Sequence, residues 1–145
     1  MPYALEPPLM RLRIWQQNLN KSNKAHFDLI KFPVHKDWDL LLLQELYIDA
    51  FRNTKATSKW HVIYPSSHLA DNSTCSSVIL VNTALDTNLW SQVPLKDSDD
   101  VTIIHLHLPH GWLTIFNIYN DCTHSDTLTQ IHQFLGQHAS ILVTS

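Results

Sequence analysis

Glycine is scarce. The chain has two, Gly111 and Gly136, in 145 residues, where average usage of ~7% would give roughly ten. A phosphate-cradling P-loop needs a spaced pair of glycines and a dinucleotide fingerprint needs three, so neither can be built here. The glycine-flanked serine elbow of many esterases is excluded for the same reason. Cysteine is equally rare, with Cys75 and Cys122 alone, too few for a disulfide framework and without any CxxC pair for zinc or redox work. Positive charge is not in excess. Ten Lys and Arg stand against 13 Asp and Glu, a formal charge of −3 with a pI near 6.3. A binder that worked by blanket neutralisation of phosphates would be basic. No apolar run approaches the ~18 residues of a membrane span. The opening MPYALEPPLMRLR lacks a signal-peptide core, and its prolines would interrupt one. The sequence therefore reads as a soluble, intracellular chain with no membrane partner, in nucleus or cytoplasm. The Asn20-Lys21-Ser22 and Asn72-Ser73-Thr74 sequons carry little weight in that setting.

What remains is the patterning of one domain, long enough to bury roughly two-thirds of its unfolded surface. Residues 1–10 form an irregular, proline-bearing leader, and residues 11–145 the domain. From Arg11 to Asn18 the alternation RLRIWQQN places Leu12 and Ile14 on one face of a strand. Asn20-Lys21-Ser22 supplies helix-capping chemistry. Ala25, Leu29 and Phe32, with Ile30 beside them, then follow at helical spacing until Pro33. Trp38 to Leu46 carries four consecutive leucines, the mark of a strand buried on both faces. A polar connection from Asp49 to Lys59 leads to β-branched or aromatic segments at Trp60–Tyr64, Ser77–Asn82, Val101–Leu108 and Trp112–Tyr119. Pro109-His110-Gly111 turns the last pair into a hairpin. A helix from about Ser125 to His138 follows, with Leu128, Ile131 and Leu135 on one stripe and Phe134 beside it, and ILVTS begins a further strand. This order predicts an α/β fold, a mixed β-sheet with helices packed against it.

Two polar residues stand at the far ends of apolar strands, Asn18 and Glu45. Carboxyl ends of strands are where ligands sit in open α/β sheets. If the two strands are neighbours joined by the first helix, both side chains reach one crevice. A carboxylate with an amide carbonyl is a hard-oxygen pair suited to Mg²⁺. The bland alternative is a capping asparagine and a surface glutamate. Tyr119, ending FNIYND, could position a phosphoryl group, or be an amphipathic rim residue. His105 and His107 would share one strand face with His110 close behind, but no cysteine or third ligand completes a zinc site. The other histidines read as solvated. So do Lys21, Lys24 and Lys31 and the run Lys96 to Asp100, which lacks the glycine and spacing of a calcium loop.

Taken in order, RIWQQNLNKS, WDLLLLQELYID, WHVIYPS, SSVILVN and LTIFNIYNDC resemble the endonuclease/exonuclease/phosphatase superfamily. The chain is most similar to the endonuclease domain of non-LTR retrotransposons, those of fungi especially. The likeness runs from about Arg11 to the end. It implies the N-terminal part of a four-layer α/β sandwich that hydrolyses DNA phosphodiesters with Mg²⁺, Mn²⁺ being the natural substitute. Asn18 then matches the early active-site asparagine, and Glu45 the metal-binding glutamate of the QE motif. Tyr119 matches the active-site tyrosine at a strand end. In these roles Asn18 and Glu45 are metal-side residues, and Asn18 and Tyr119 orient phosphate and steady charge.

The departures from the pattern are equally concrete. Leu46 stands where many relatives have proline after the QE glutamate. The superfamily's next strand leads into Gly-Asp-x-Asn, and a later Ser-Asp-His supplies the base; here the strand reads ILVTS and no SDH occurs. The expectation is a domain incomplete at its C-terminus and weak or inactive as a nuclease, since general-base catalysis alone supplies ~10²–10⁴. A further expectation is a first sheet whose inner face is left bare and promotes self-association. Three other readings stay open: a non-catalytic remnant that binds Mg²⁺ or nucleic acid weakly, another phosphatase or exonuclease of the same superfamily, and a histidine-based zinc module.

Overall fold

The leucine run Leu40–Leu43 is the centre of the molecule, with each side chain 9% exposed or less. In the computed structural model, residues 11–46, 57–66, 75–95, 100–109, 111–119 and 126–137 are described. The leader, the closing ILVTS, His110, Cys122 and most of the polar connections lie outside them. The elements, in chain order, are β1 (Ile14–Asn18), α1 (Asn23–Lys31), β2 (Leu40–Gln44), β3 (Trp60–Ile63), β4 (Ser77–Asn82), β5 (Trp90–Val93), β6 (Val101–Leu108), β7 (Gly111–Ile118) and α2 (Asp126–Gln137).

They form two sheets, ordered β1-β2-β4-β3 and β5-β6-β7. β1 and β2 are parallel, with Asn18 opposite Gln44, and the crossover that parallel strands require runs through α1. β2 and β4 are antiparallel, which makes the first sheet mixed. At the start of β1, Arg13 grips Asp39 just before β2. Its backbone N–H donates to Oδ2 at 2.9 Å and its guanidinium to Oδ1 at 3.0 Å. That carboxylate holds the exposed Arg13 guanidinium above its ordinary pKa, chiefly through the hydrogen bond. In β7, Gly111 adopts φ +139 opposite Leu108, a conformation that a side chain would strain.

Side-chain alternation sorts the core into layers. On one face of the first sheet, Leu41, Leu43, Val78 and Leu80 pack against Ala25, Leu29 and Ile30 of α1. On its other face, Leu40, Leu42, Ile79 and Val81 meet Ile104 and Leu106 of β6, with Leu113 and Ile115 of β7 around them. The far face of the second sheet packs Val101, Ile103 and Phe116 against Ile131 and Phe134 of α2. The result is a four-layer α/β sandwich.

Several sequence-based expectations are corrected. The inner face of the first sheet is not bare: β5–β7 cover it, and Leu40, Ile79 and Val81 are fully buried. The basis for self-association through an uncovered sheet face is thereby removed, although Ile14 at the edge stays 37% exposed. β5 went unread as a strand because its four residues are cut short by Pro94. In α1, Phe32 is the C-cap and 61% exposed, so it does not extend the apolar stripe. His26, expected in solvent, is fully buried there. In α2, Phe134 and Ile131 carry the packing, whereas Leu128 and Leu135 face outward at 54% and 36% exposure. The second sheet meets α2 along a narrower line than three leucine-spaced positions would cover.

Candidate active site

The layer between the sheets changes character along its length. Moving toward the carboxyl ends of β1, β2 and β7, inward positions switch from leucine and isoleucine to Gln16, Gln44, Ser77, Thr102 and Asn117. The pairing registers put Gln44 opposite Ser77 and Thr102 opposite Asn117, with Asn18 opposite Gln44 on β1 and Gln16 one step behind, opposite Leu42. Gln44, Ser77, Thr102 and Asn117 are all buried, and buried polar groups require partners. They find them across the sheets. Asn117 Nδ2 donates to the Leu43 carbonyl at 3.0 Å and to the Val78 carbonyl at 2.6 Å. Gln44 Nε2 donates to Asn117 Oδ1, and Gln16 Nε2 to Gln44 Oε1. Thr102 Oγ1 donates to the Ser77 carbonyl at 2.9 Å and lies 3.0 Å from Ser77 Oγ.

Immediately beyond this row sit the residues singled out in the sequence. Asn18 ends β1 and is exposed. Its Oδ1 accepts the Asn20 N–H at 2.8 Å. Asn20 and Lys21 take left-handed φ values of +50 and +56, and Glu45, directly after β2, takes +48. Such conformations in non-glycine residues concentrate at functional sites, because surrounding structure must hold them. Here the holding contacts are backbone ones. Leu19 N donates to Gln44 O at 2.8 Å, Lys21 N to Glu45 O at 2.7 Å, and Glu45 N to Ser76 O at 2.9 Å. They hold the half-buried Glu45 at the end of the sandwich where Asn18 also lies. Tyr119 follows β7 on the same strand face as Asn117, and its N–H donates to the Asp100 carbonyl at 2.8 Å.

Asn18 and Glu45 are thus brought to adjacent strand ends of one sheet, and Tyr119 to the corresponding end of the opposed sheet. Asp100, read in sequence as part of a solvated run, is half-buried opposite Tyr119. The amide row escaped sequence reading altogether. The available signal was a polar residue at each inward position of an otherwise apolar alternation: Gln44 after four leucines, Asn117 within LTIFNIY. The histidine pair does share one face of β6, but its rings engage Trp112. His107 stacks on it at 4.3 Å and His105 meets it edge-on at 4.4 Å. Among the lysines, Lys24 pairs with Asp28 at 3.0 Å on an exposed surface, and Lys31 lies over the Phe27 ring at 5.6 Å.

Among the described residues no group of three or more His, Cys, Asp and Glu could hold a metal. Mg²⁺ asks less than that, since it keeps several waters and takes one or two carboxylates plus substrate oxygens. The Glu45 carboxylate fits such a minimal set, with the Asn18 amide at the neighbouring strand end. It does not fit a structural zinc centre, which needs four closed ligands.

The chain matches no protein-family model and no curated protein. Its structure is similar to the endonuclease domain of TRAS1, a telomere-specific non-LTR retrotransposon. The TM-score is 0.66 at 18% sequence identity, over 88% of this chain and 53% of that one. The chain therefore spans about half the length of that neighbour. What the two share is the fold: this chain has the α/β sandwich architecture of a non-LTR retrotransposon endonuclease domain.

Proposed function

We propose that the rim formed by Asn18, Glu45 and Tyr119 is the metal-side portion of a Mg²⁺-dependent phosphodiesterase site that acts on DNA. The observation that supports this reading is the convergence of an amide, a strained half-buried carboxylate and a phenol at one end of a sandwich. That sandwich is similar to one from a retrotransposon endonuclease. Glu45 would hold the ion, with Mn²⁺ able to substitute, and Asn18 would orient a ligand water or a phosphate oxygen. Bound there, the metal supplies charge neutralisation to the phosphate and lowers the barrier to in-line attack by water. Tyr119 would donate a hydrogen bond to a phosphate oxygen as charge develops on it.

DNA would be held by local geometry and not by bulk charge, because the chain is net negative. The residues present offer no Ser-Asp-His base. In this reading, activation of the attacking water falls to groups other than Asn18, Glu45 and Tyr119, and these 145 residues taken alone would hydrolyse DNA slowly, short of the ~10²–10⁴ that a general base supplies.

The test is relaxation of supercoiled plasmid in Mg²⁺ or EDTA, run beside Mn²⁺ binding, for the native chain and Glu45→Gln. The expected result is Mn²⁺ binding that disappears in the variant, with nicking slow or absent. Binding that survives in Glu45→Gln would overturn the metal assignment. Fast Mg²⁺-dependent nicking by the native chain would overturn the argument about the base.

A further inference from the structure

Apolar contacts between two sheets are non-directional, and they tolerate a slide of one sheet over the other at little cost. A site assembled from both sheets therefore needs something else to fix their relative position. The row of amides has the required geometry. Asn117, only 1% exposed, reaches from β7 to carbonyls on two different strands of the opposite sheet, Leu43 of β2 and Val78 of β4. Its remaining acceptor takes the Gln44 amide, which in turn takes Gln16 of β1. Both amide protons and the amide oxygen of Asn117 are used. A slide by one pleat would leave this side chain and Gln44 without partners in a buried layer, a large penalty for each, and would detach Gln16 at the exposed edge.

Each candidate site residue follows a member of this chain within two positions. Asn18 comes two residues after Gln16, Glu45 one after Gln44, and Tyr119 two after Asn117. We infer that Asn117, Gln44 and Gln16 are positioning residues: their hydrogen-bonded chain sets where Tyr119 stands relative to Glu45 and Asn18. The inference rests on the reading of the rim as one site, and it assigns the spacing of that site to three side chains that would touch neither metal nor phosphate.

The experiment uses the whole chain labelled with 3-fluorotyrosine, the Tyr119 resonance being identified by its absence in Tyr119→Phe. The fluorine line reports the order of Tyr119, and its broadening on addition of Mn²⁺ alone reports its distance from the metal. Asn117→Leu removes the link. Thr102→Val is the control, because it removes a buried hydrogen bond from the same row that joins β6 to β4 and does not involve β7. The expected result is a split or exchange-broadened Tyr119 line and loss of Mn²⁺ broadening in Asn117→Leu. Thr102→Val keeps both native features while losing thermal stability.

Gln44→Met breaks the same chain at a second point and serves if Asn117→Leu does not fold. Gln16→Leu, at the exposed end, should give the mildest effect. A native Tyr119 line in Asn117→Leu or Gln44→Met, or the same disturbance in Thr102→Val, would overturn the inference. Absence of Mn²⁺ broadening in the native chain would remove the metal reading alone, since the line shape without metal still tests the coupling of the sheets.

Discussion

Glu45 holds its backbone at φ +48, a conformation that costs an ordinary residue roughly 1–2 kcal/mol and glycine almost nothing. A protein selected for stability alone would place glycine or asparagine there. Glu45→Gly should therefore raise stability to urea by about 1 kcal/mol while abolishing Mn²⁺ binding, a gain and a loss that denaturation curves and a metal titration would read separately. A surface glutamate in a merely convenient turn would give the stability gain and leave metal binding as it was. His26 teaches a different lesson at this scale. Its position inside the helix signalled nothing unusual, yet it is fully buried, on a helix whose Ala25, Leu29 and Ile30 are only partly buried against the first sheet.

At the scale of the element, α1 is short and its ends decide its stability. Ser22 Oγ accepts the Ala25 N–H at 3.1 Å, and helices of this length depend on such caps and on packing. Ser22→Ala should cost about 1 kcal/mol and speed amide exchange in the first turn, with later turns protected by Leu29 and Ile30. In the sequence, β1 and β2 as neighbours entered only as a condition, whereas a cap within Asn20-Lys21-Ser22 was legible, and so were the burial of the leucine run and the hairpin of β6 with β7. Each rests on local pattern. What escaped rests on contacts between elements. β5 exists because β6 offers it an edge and Gln92 donates to the Tyr64 carbonyl at 2.5 Å beside β3. Phe32 looked like a core residue because it keeps helical spacing, but the chain leaves the helix at that residue and turns it outward. Of the rim, Asn18, Glu45 and Tyr119 could be named from strand ends, whereas the amides that join the sheets could not, since nothing in a single strand says which polar residue will face another sheet.

For the molecule as a whole, three apolar layers and one polar row share the work of cohesion. Ile79 lies between the sheets and Ile103 between the second sheet and α2, both fully buried. Truncating each to valine should cost about 1 kcal/mol, and the pair should add, because they sit in different layers. Ile79→Val combined with Ile104→Val, two residues of one layer, should depart from additivity, and thermal denaturation of the three variants and their pairs measures the difference. The uneven composition of that inter-sheet layer has one more consequence. A sandwich that is dry at one end and amide-lined at the other does not yield evenly, because water can replace the hydrogen bonds of Gln16, Gln44 and Asn117 but has nothing to offer Leu40, Val81 and Leu106. Under pressure or mild denaturant, opening should run like a zip from the amide end, with backbone protection lowest at Gln44 and Ser77 and rising toward the leucine end. The end of the molecule that would admit a nucleic-acid strand is then also the end that breathes.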